Sequence, residues 1–419
     1  MRMAGTSVWR SMLAALAAAA LLGCREDIAA PGQCPSLCPS ADVELVDTTL
    51  TGVVVSDTSV RGFVVPHEAA ILVASTLDSL KSLVLVRFTA LDTVFRVSGD
   101  TVPVPIGSYD SVTLDLTMQQ RDTAAKGLLV LLVRLPAGTD TTATYATALP
   151  FFADSLIVDS IVVDSTPTAS LAAPANLHKS WVEGAAVARL LPQAGDSGKV
   201  ALGIAIRAAS PTAVSFGALD FSGAPPRITY WAWGVRGAAP DDTLRQAISR
   251  SPAFDTFVMT PVPGAPPAGA LQVGNLPSAR TLLRVDIPRR LIDSTSVVRG
   301  TLVLTLTRPV TGRPGEVFDV EVRPVIRYFG GKSITAADTV VTGLGQVTVG
   351  QTGPVEIEIG RILRFWRNPA ADSLPRAILL RSRLEGAALG EVTFAGRTAG
   401  VAAPLLQLTF VRPYAFGVP

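Results

Sequence analysis

The chain has 419 residues, enough for two or three domains, and it is 48% apolar but only 6% aromatic. A formal net charge of +2 leaves no electrostatic case for nucleic acid as a partner. Helical periodicity is scarce, and short Val, Leu, Ile and Thr runs broken by Gly, Pro, Asp and Ser signal an all-β chain.

At the N-terminus, Arg2 and Arg10 accompany an apolar run from Ser11 to Leu22. Twelve residues are too few to cross a bilayer, which takes about 20, and suit the apolar core of a secretion signal. The run ends in Leu21-Leu22-Gly23-Cys24, which resembles the lipobox of bacterial lipoprotein signals. That resemblance implies cleavage before Cys24, lipidation of its thiol, and a mature protein held on the cell envelope by its acyl chains. Arg25 follows the cysteine where an Asp would imply inner-membrane retention, so the outer membrane is the expected destination. Residues 1–23 are therefore expected to be a signal peptide, and residues 24–42, rich in Pro and Ser, a tether. Cys34 and Cys38 are expected to pair as a local disulfide rather than to bind zinc. A zinc site needs about four ligands, and only His67 and His178 are available besides these thiols.

Strand patterns dominate the rest of the chain. "SVTLDLTMQ" sets Val112, Leu114 and Leu116 on one face, and "GTLVLTLTRP" does the same with Leu302, Leu304 and Leu306. In "PVEIEIGRI" Val355, Ile357 and Ile359 alternate with Glu356 and Glu358. Such period-two alternation marks half-buried antiparallel strands. The unbroken runs "LVLVRF" and "GLLVLLVRL" point to strands covered on both faces.

Two pieces of sequence recur in the same order. "DTSVRGFVVPHEAAILVASTLDSLKSLVLVRF" and "DTFVMTPVPGAPPAGALQVGNLPSARTLLRVDI" both open on Asp-Thr, pass a Pro-containing stretch, and close on an apolar run bearing Arg87 or Arg284. Further along, "VSFGALDFSGAPPRITYW" matches "VTFAGRTAGVAAPLLQLTF", with Phe216 and Phe394 each ten residues before Pro226 and Pro404. The duplication predicts module one at 43–236, a linker at 237–251, and module two at 252–419. Within the linker, "DDTLRQAIS" is expected to form a short helix capped by Asp241 or Asp242. The predicted fold is all-β, with two tandem jelly-roll-like antiparallel β-sandwiches, and Trp181 is expected to superpose on Trp366.

The order of motifs resembles the DNRLRE-type β-sandwich modules of bacterial surface and secreted proteins, which are carbohydrate-binding-like. The residues that carry it are "LLRVDIP" at 282–288, "GTLVLTL" at 300–306, Trp366, "VTFAGR" at 392–397 and "PLLQLTF" at 404–410. Module one offers "VLVRF", "VTLDL", Trp181, "VSFGALDF" and "PRITYW". The resemblance implies surface display or polymer binding rather than chemistry.

No nucleophile elbow, metalloprotease helix, P-loop or dinucleotide fingerprint occurs in the sequence. His67 and His178 sit in segments that read as loops. Catalytic residues, a metal site and cofactors are therefore not expected. The expected function is non-enzymatic: an envelope lipoprotein displaying its modules for structural or adhesive binding. The alternative is a polysaccharide-binding surface lipoprotein. Either way the partners are the membrane, through the anchor, and a polysaccharide or an envelope protein. In "RITYWAWG", alternation turns Ile228 and Tyr230 inward, and Trp231 and Trp233 outward. These two indoles are expected to pack on the linker or on module two, and a ligand platform is the alternative.

Overall fold

The computed structural model describes residues 45–95, 103–163, 174–182, 184–220, 225–236, 242–261, 264–328 and 336–411. The signal sequence and the tether, with Cys24, Cys34 and Cys38, lie outside the described residues, as does Asp241. The described residues form 25 strands, three of them only two residues long, and the 22 others are numbered in chain order. The first half supplies β1 (Leu45–Leu50), β2 (Val54–Arg61), β3 (Ile71–Leu77), β4 (Leu80–Phe88), β5 (Val104–Arg121) and β6 (Leu129–Leu135). After these come β7 (Ile157–Val162), β8 (Ala175–Val182), β9 (Ala201–Arg207), β10 (Ala213–Gly217) and β11 (Arg227–Val235). The second half supplies β12 (Thr243–Arg250), β13 (Pro252–Thr260), β14 (Ala270–Gly274), β15 (Ala279–Val285), β16 (Ser296–Leu306) and β17 (Val317–Arg327). It ends with β18 (Gly343–Thr348), β19 (Gly353–Glu358), β20 (Ala377–Ser382), β21 (Gly390–Ala395) and β22 (Leu405–Val411).

The strands follow the alternation expected of them. Val112, Leu114, Leu116 and Met118 of β5 are buried, as are Leu302, Leu304 and Leu306 of β16. On β19 Val355 and Ile357 point into the core, while Glu356 and Glu358 are exposed. The unbroken runs in β4 and β6 are indeed covered twice. Their second layer is the β6–β7 connection, whose Phe151 and Phe152 pack on a cluster containing Leu85, Val133 and Ala201. Gly203 on β9 makes room for it, because a Cβ there would lie 2.5 Å from the Phe152 ring.

Both halves build the same antiparallel sandwich. In the first, the hydrogen-bonded order is β12-β11-β5-β10-β3-β4-β9-β6-β7, with β13 on β4 and β8 on β5. In the second it is β1-β22-β16-β21-β14-β15-β20-β17, with β2 on β15, β19 on β16 and β18 on β17. Each strand of the first half thus has its counterpart eleven places later in the second. Two counterparts are exchanged. β12 and β13, from the second half, complete the first sandwich, and β1 and β2, from the first half, complete the second.

This exchange corrects the expected modules 43–236 and 252–419. The second repeat begins at β12, inside the stretch expected to be a linker, and the folded units do not coincide with the repeats. Asp255 and Thr256 stand opposite Val86 and Leu85 of β4, and Asp57 and Thr58 stand opposite Leu283 and Leu282 of β15. Both pairings also shift register at the matching place, between Pro252 and Phe254 and between Arg284 and Val285. Ile248, Phe257 and Met259 therefore belong to the first core, and Val53 and Val54 to the second. The repeated Asp-Thr has a repeated task. The Asp255 carboxylate accepts from Leu219 N at 2.6 Å, and the Asp57 carboxylate accepts from Arg397 N at 2.9 Å. In each case the acceptor comes from one repeat and the donor from the other. Two connections of nine residues, 62–70 and 261–269, carry the chain between sandwiches. Both contain proline, and the first makes one short turn at Pro66–Glu68 on its way.

Other expectations are corrected locally. "DDTLRQAIS" forms no helix: Thr243–Arg250 is strand β12, with Leu244, Gln246, Ile248 and Arg250 more enclosed than the residues between them. Its period of two meets β11 in register, and that pairing overrides the weak capping signal. The two longest α-helices among the described residues are α1 (Gly184–Leu190) and α2 (Gly360–Arg367), each following the eighth strand of its repeat. Trp181 does not match Trp366, because the first lies on β8 and the second on α2. The counterpart of Trp366 is Leu190, each the seventh residue of its helix and buried. Phe216 and Phe394 do correspond, opposite Met118 and Leu306, and Pro226 and Pro404 both lie buried just before the last strand of the repeat. His178 is on strand β8 rather than in a loop.

Candidate functional site

One face of the first sandwich brings the sequence-predicted tryptophans together with residues from three strands. On β11, Ile228, Tyr230 and Ala232 are buried and the side chains between them point outward. The Tyr230 hydroxyl is satisfied inside, donating to Leu190 O at 3.0 Å, and burial pushes its pKa far up. This anchoring fixes the strand's orientation and turns Trp231 and Trp233 out, the first half-buried and the second 36% exposed.

Beside them runs β12, on which Ala247 faces Trp231 and Arg245 faces Trp233. The Arg245 guanidinium carbon lies 4.4 Å from the centre of the Trp231 ring and 5.9 Å from that of Trp233. On the other side is β5, where a register shift presents Asp110 to the pair. One oxygen of Asp110 accepts from Trp233 Nε1 and from Arg245 Nε, each at 2.7 Å. The other accepts from Arg245 Nη2 at 3.2 Å and from Ser111 Oγ at 2.9 Å. The Arg245 guanidinium above all, with Trp233 and Ser111 adding to it, holds the Asp110 carboxyl down at about 2. At neutral pH the group is a fixed carboxylate that orients one indole and one guanidinium. Cation–π contacts at such exposed sites are weak, so the assembly is positioned rather than strongly fastened.

The same face continues across β5 to β8 with short polar side chains. Thr113 stands opposite Ser180, and Asp115 opposite His178. His178 Nδ1 lies 2.7 Å from Asp115 Oδ1 with both groups exposed. Thr229 and Ser249 hydroxyls are 2.8 Å apart, and Thr117 donates to Asn176 at 3.2 Å. An indole edge or face next to hydroxyls, an amide and an imidazole suits a ligand with apolar C–H faces and many hydroxyls.

The corresponding face of the second sandwich keeps the polarity and loses the indoles. Register places Thr409 where Trp231 stands and Val411 where Trp233 stands. Thr409 donates to Asp47 at 2.6 Å, and Arg299 reaches Glu358 at 3.5 Å. A shallow hollow of about 380 Å³ lies there among Asp47, Arg299, Thr301 and Gln407.

The structure thus places Trp231 and Trp233 on the outer face and sets them against residues 243–250, the stretch expected to be a linker. Sequence reasoning missed Asp110 and Arg245. Arg245 was legible only as one exposed position of an alternating run, and its partners depend on which strand lies beside which. His67 is in a short turn, Pro66–Glu68, with Glu68 at 3.7 Å. Among the described residues no group of three or more His, Cys, Asp or Glu is gathered as metal ligands would be. Among them, too, no helix is long and apolar enough to cross a membrane. No family model and no curated protein matches the chain.

Proposed function

We propose that this chain is a non-enzymatic lipoprotein of the cell envelope, held in the outer membrane through Cys24, that uses its sandwiches for adhesion and takes a polysaccharide on the outer face of the first. Support for the anchor is the Leu-Leu-Gly-Cys ending of the N-terminal run. The polysaccharide reading is carried by one observation: two outward indoles, oriented by Asp110 and Arg245, on a sheet face that also carries Thr, Ser, Asn, Asp and His. Such a face can stack on sugar rings and bond their hydroxyls. The DNRLRE-like order of motifs supports the same class of ligand.

Affinity electrophoresis through gels containing plant or bacterial polysaccharides tests the reading. Retardation by at least one polymer is expected for the parent, and the double substitution Trp231→Ala, Trp233→Ala should abolish it while the thermal transition stays within a few degrees. No retardation by any polymer, or retardation that survives loss of both indoles, defeats it. A second reading is favoured by the Arg245 contact itself. There the tryptophans mainly hold β12 in place, and the face serves a purely structural role. In that case the double substitution would lower stability and change no binding.

A further inference from the structure

The seam between the sandwiches holds two adjoining hollows, of about 280 and 550 Å³, that share Arg61, Gly264, Leu276 and Pro277. Together they fall in the size range of small-molecule sites, which favour the junctions between folded units. The two differ in character. The larger is a trough walled by Val60 and Met259 near the ends of β2 and β13, and by Val64, Val65, Pro66 and Pro266 from the two connections. Among the described residues that line it, Arg61 alone is charged. The smaller adds Arg308, Thr311 and Glu391.

The charges at the polar end do not cancel. Glu391 is buried and meets both Arg61 and Arg308. It also accepts from Gln272 Nε2 at 3.0 Å and from Thr393 Oγ1 at 3.5 Å. One carboxylate therefore serves two guanidiniums, and the lining keeps one positive charge. Among the described residues the buried Nε of Arg61 has no hydrogen-bond partner, and the Arg308 side chain is 45% exposed.

From this pairing of an apolar trough with an uncompensated cationic end, we infer that the seam binds a single-chain amphiphile with a carboxylate head, a fatty acid. The head sits by Arg308 and Arg61, and the hydrocarbon lies along the trough. Each methylene buried is worth about 0.8 kcal/mol, and the carboxylate supplies the missing negative charge. A peptide suits the trough less well. The backbone that borders it is already bonded: Gly62 N donates to Ser278 O at 3.1 Å, Val64 N to Ser278 Oγ at 2.8 Å, and Gly264 O accepts from Arg61 at 2.6 Å. Peptide amides laid along these groups would go unmatched, whereas hydrocarbon asks for no partner. Because both connections wall the trough, the occupant touches both repeats at the point where they cross.

Calorimetric titration of the mature chain, residues 24–419, with dodecanoate tests the inference. One dodecanoate per chain is expected. Arg308→Ala should weaken it by at least about tenfold, in line with losing a bond to a charged group. Dodecyl alcohol should bind at least about tenfold more weakly than dodecanoate and be indifferent to Arg308→Ala. Ala265→Trp, a substitution at an exposed position on the trough's rim, should abolish binding of both while leaving the thermal transition in place. The inference is overturned by an absence of saturable dodecanoate binding, by binding that Ala265→Trp leaves intact, or by tighter binding of a short apolar peptide with a free C-terminus.

Discussion

Phe257 lies in the second repeat by sequence, yet it is 1% exposed in the core of the first sandwich. It reaches that core on β13, opposite Val84 of β4. Phe257→Ala removes a full ring from a close-packed site, which costs about 3–5 kcal/mol where the surroundings cannot collapse. Domains are stable by only about 5–15 kcal/mol, so the loss is a large share of the total. Every tenfold in an opening equilibrium is about 1.4 kcal/mol, so protection of amides against hydrogen exchange should fall about a hundredfold or more. The fall should be concentrated in β3, β4 and β9 of the first repeat. Tryptophan emission offers a second readout, because Trp181, Trp231 and Trp233 report on the first sandwich and Trp366 on the second. The mirror change is Val54→Ala, at a residue of the first repeat buried in the second core. It should cost roughly 2 kcal/mol and loosen β15 and β20 first. If Phe257→Ala instead strips protection from β14–β22 and leaves β3–β11 untouched, the strands are not exchanged and the reasoning fails.

Three further outcomes rest on the same features. In a bacterial host, Cys24→Ala should leave unprocessed precursor that takes up no labelled palmitate, and equal labelling of variant and parent would remove the anchor. A chain cut to residues 243–411 keeps β12 and β13 with no first sandwich to receive them, so it should form a two-fold dimer that exchanges these strands; a stable monomer by light scattering would argue against it. Burial pushes the Glu316 carboxyl from its ordinary 4.5 up to about 7 despite Arg313 beside it. The folded chain then holds this proton more tightly than the unfolded chain, so this carboxyl's contribution to stability should be full below about 4.5 and fall by up to about 3 kcal/mol as pH rises to 7. Urea melts of Glu316→Gln should lack that part of the fall, and a variant as pH-dependent as the parent would refute the assignment.

What the sequence determined by itself is what depends on neighbours along the chain. Alternation in "SVTLDLTMQ" and "PVEIEIGRI" dictates which side chains face the core, because successive residues of a strand must point to opposite sides. The same rule turned Trp231 and Trp233 outward, and the unbroken runs of β4 and β6 told of a second covering layer. The recurring Asp-Thr, Phe and Pro positions marked the duplication, since they serve the same bonds and turns in each repeat. The tertiary structure alone decided which repeat each strand joins. Asp57 and Asp255 make equivalent bonds whichever copy supplies the partner, so two sandwiches of the same strand order accept the strands of either repeat, and no local pattern distinguishes them. The choice rests on where the connections 62–70 and 261–269 lead, a matter of geometry at the seam. For the same reason Arg245 could be paired with Asp110 and the indoles, and Arg61 with Glu391, only once the strands stood side by side. Arg245 and Asp110, like Arg61 and Glu391, lie more than a hundred residues apart in the chain and meet only through register.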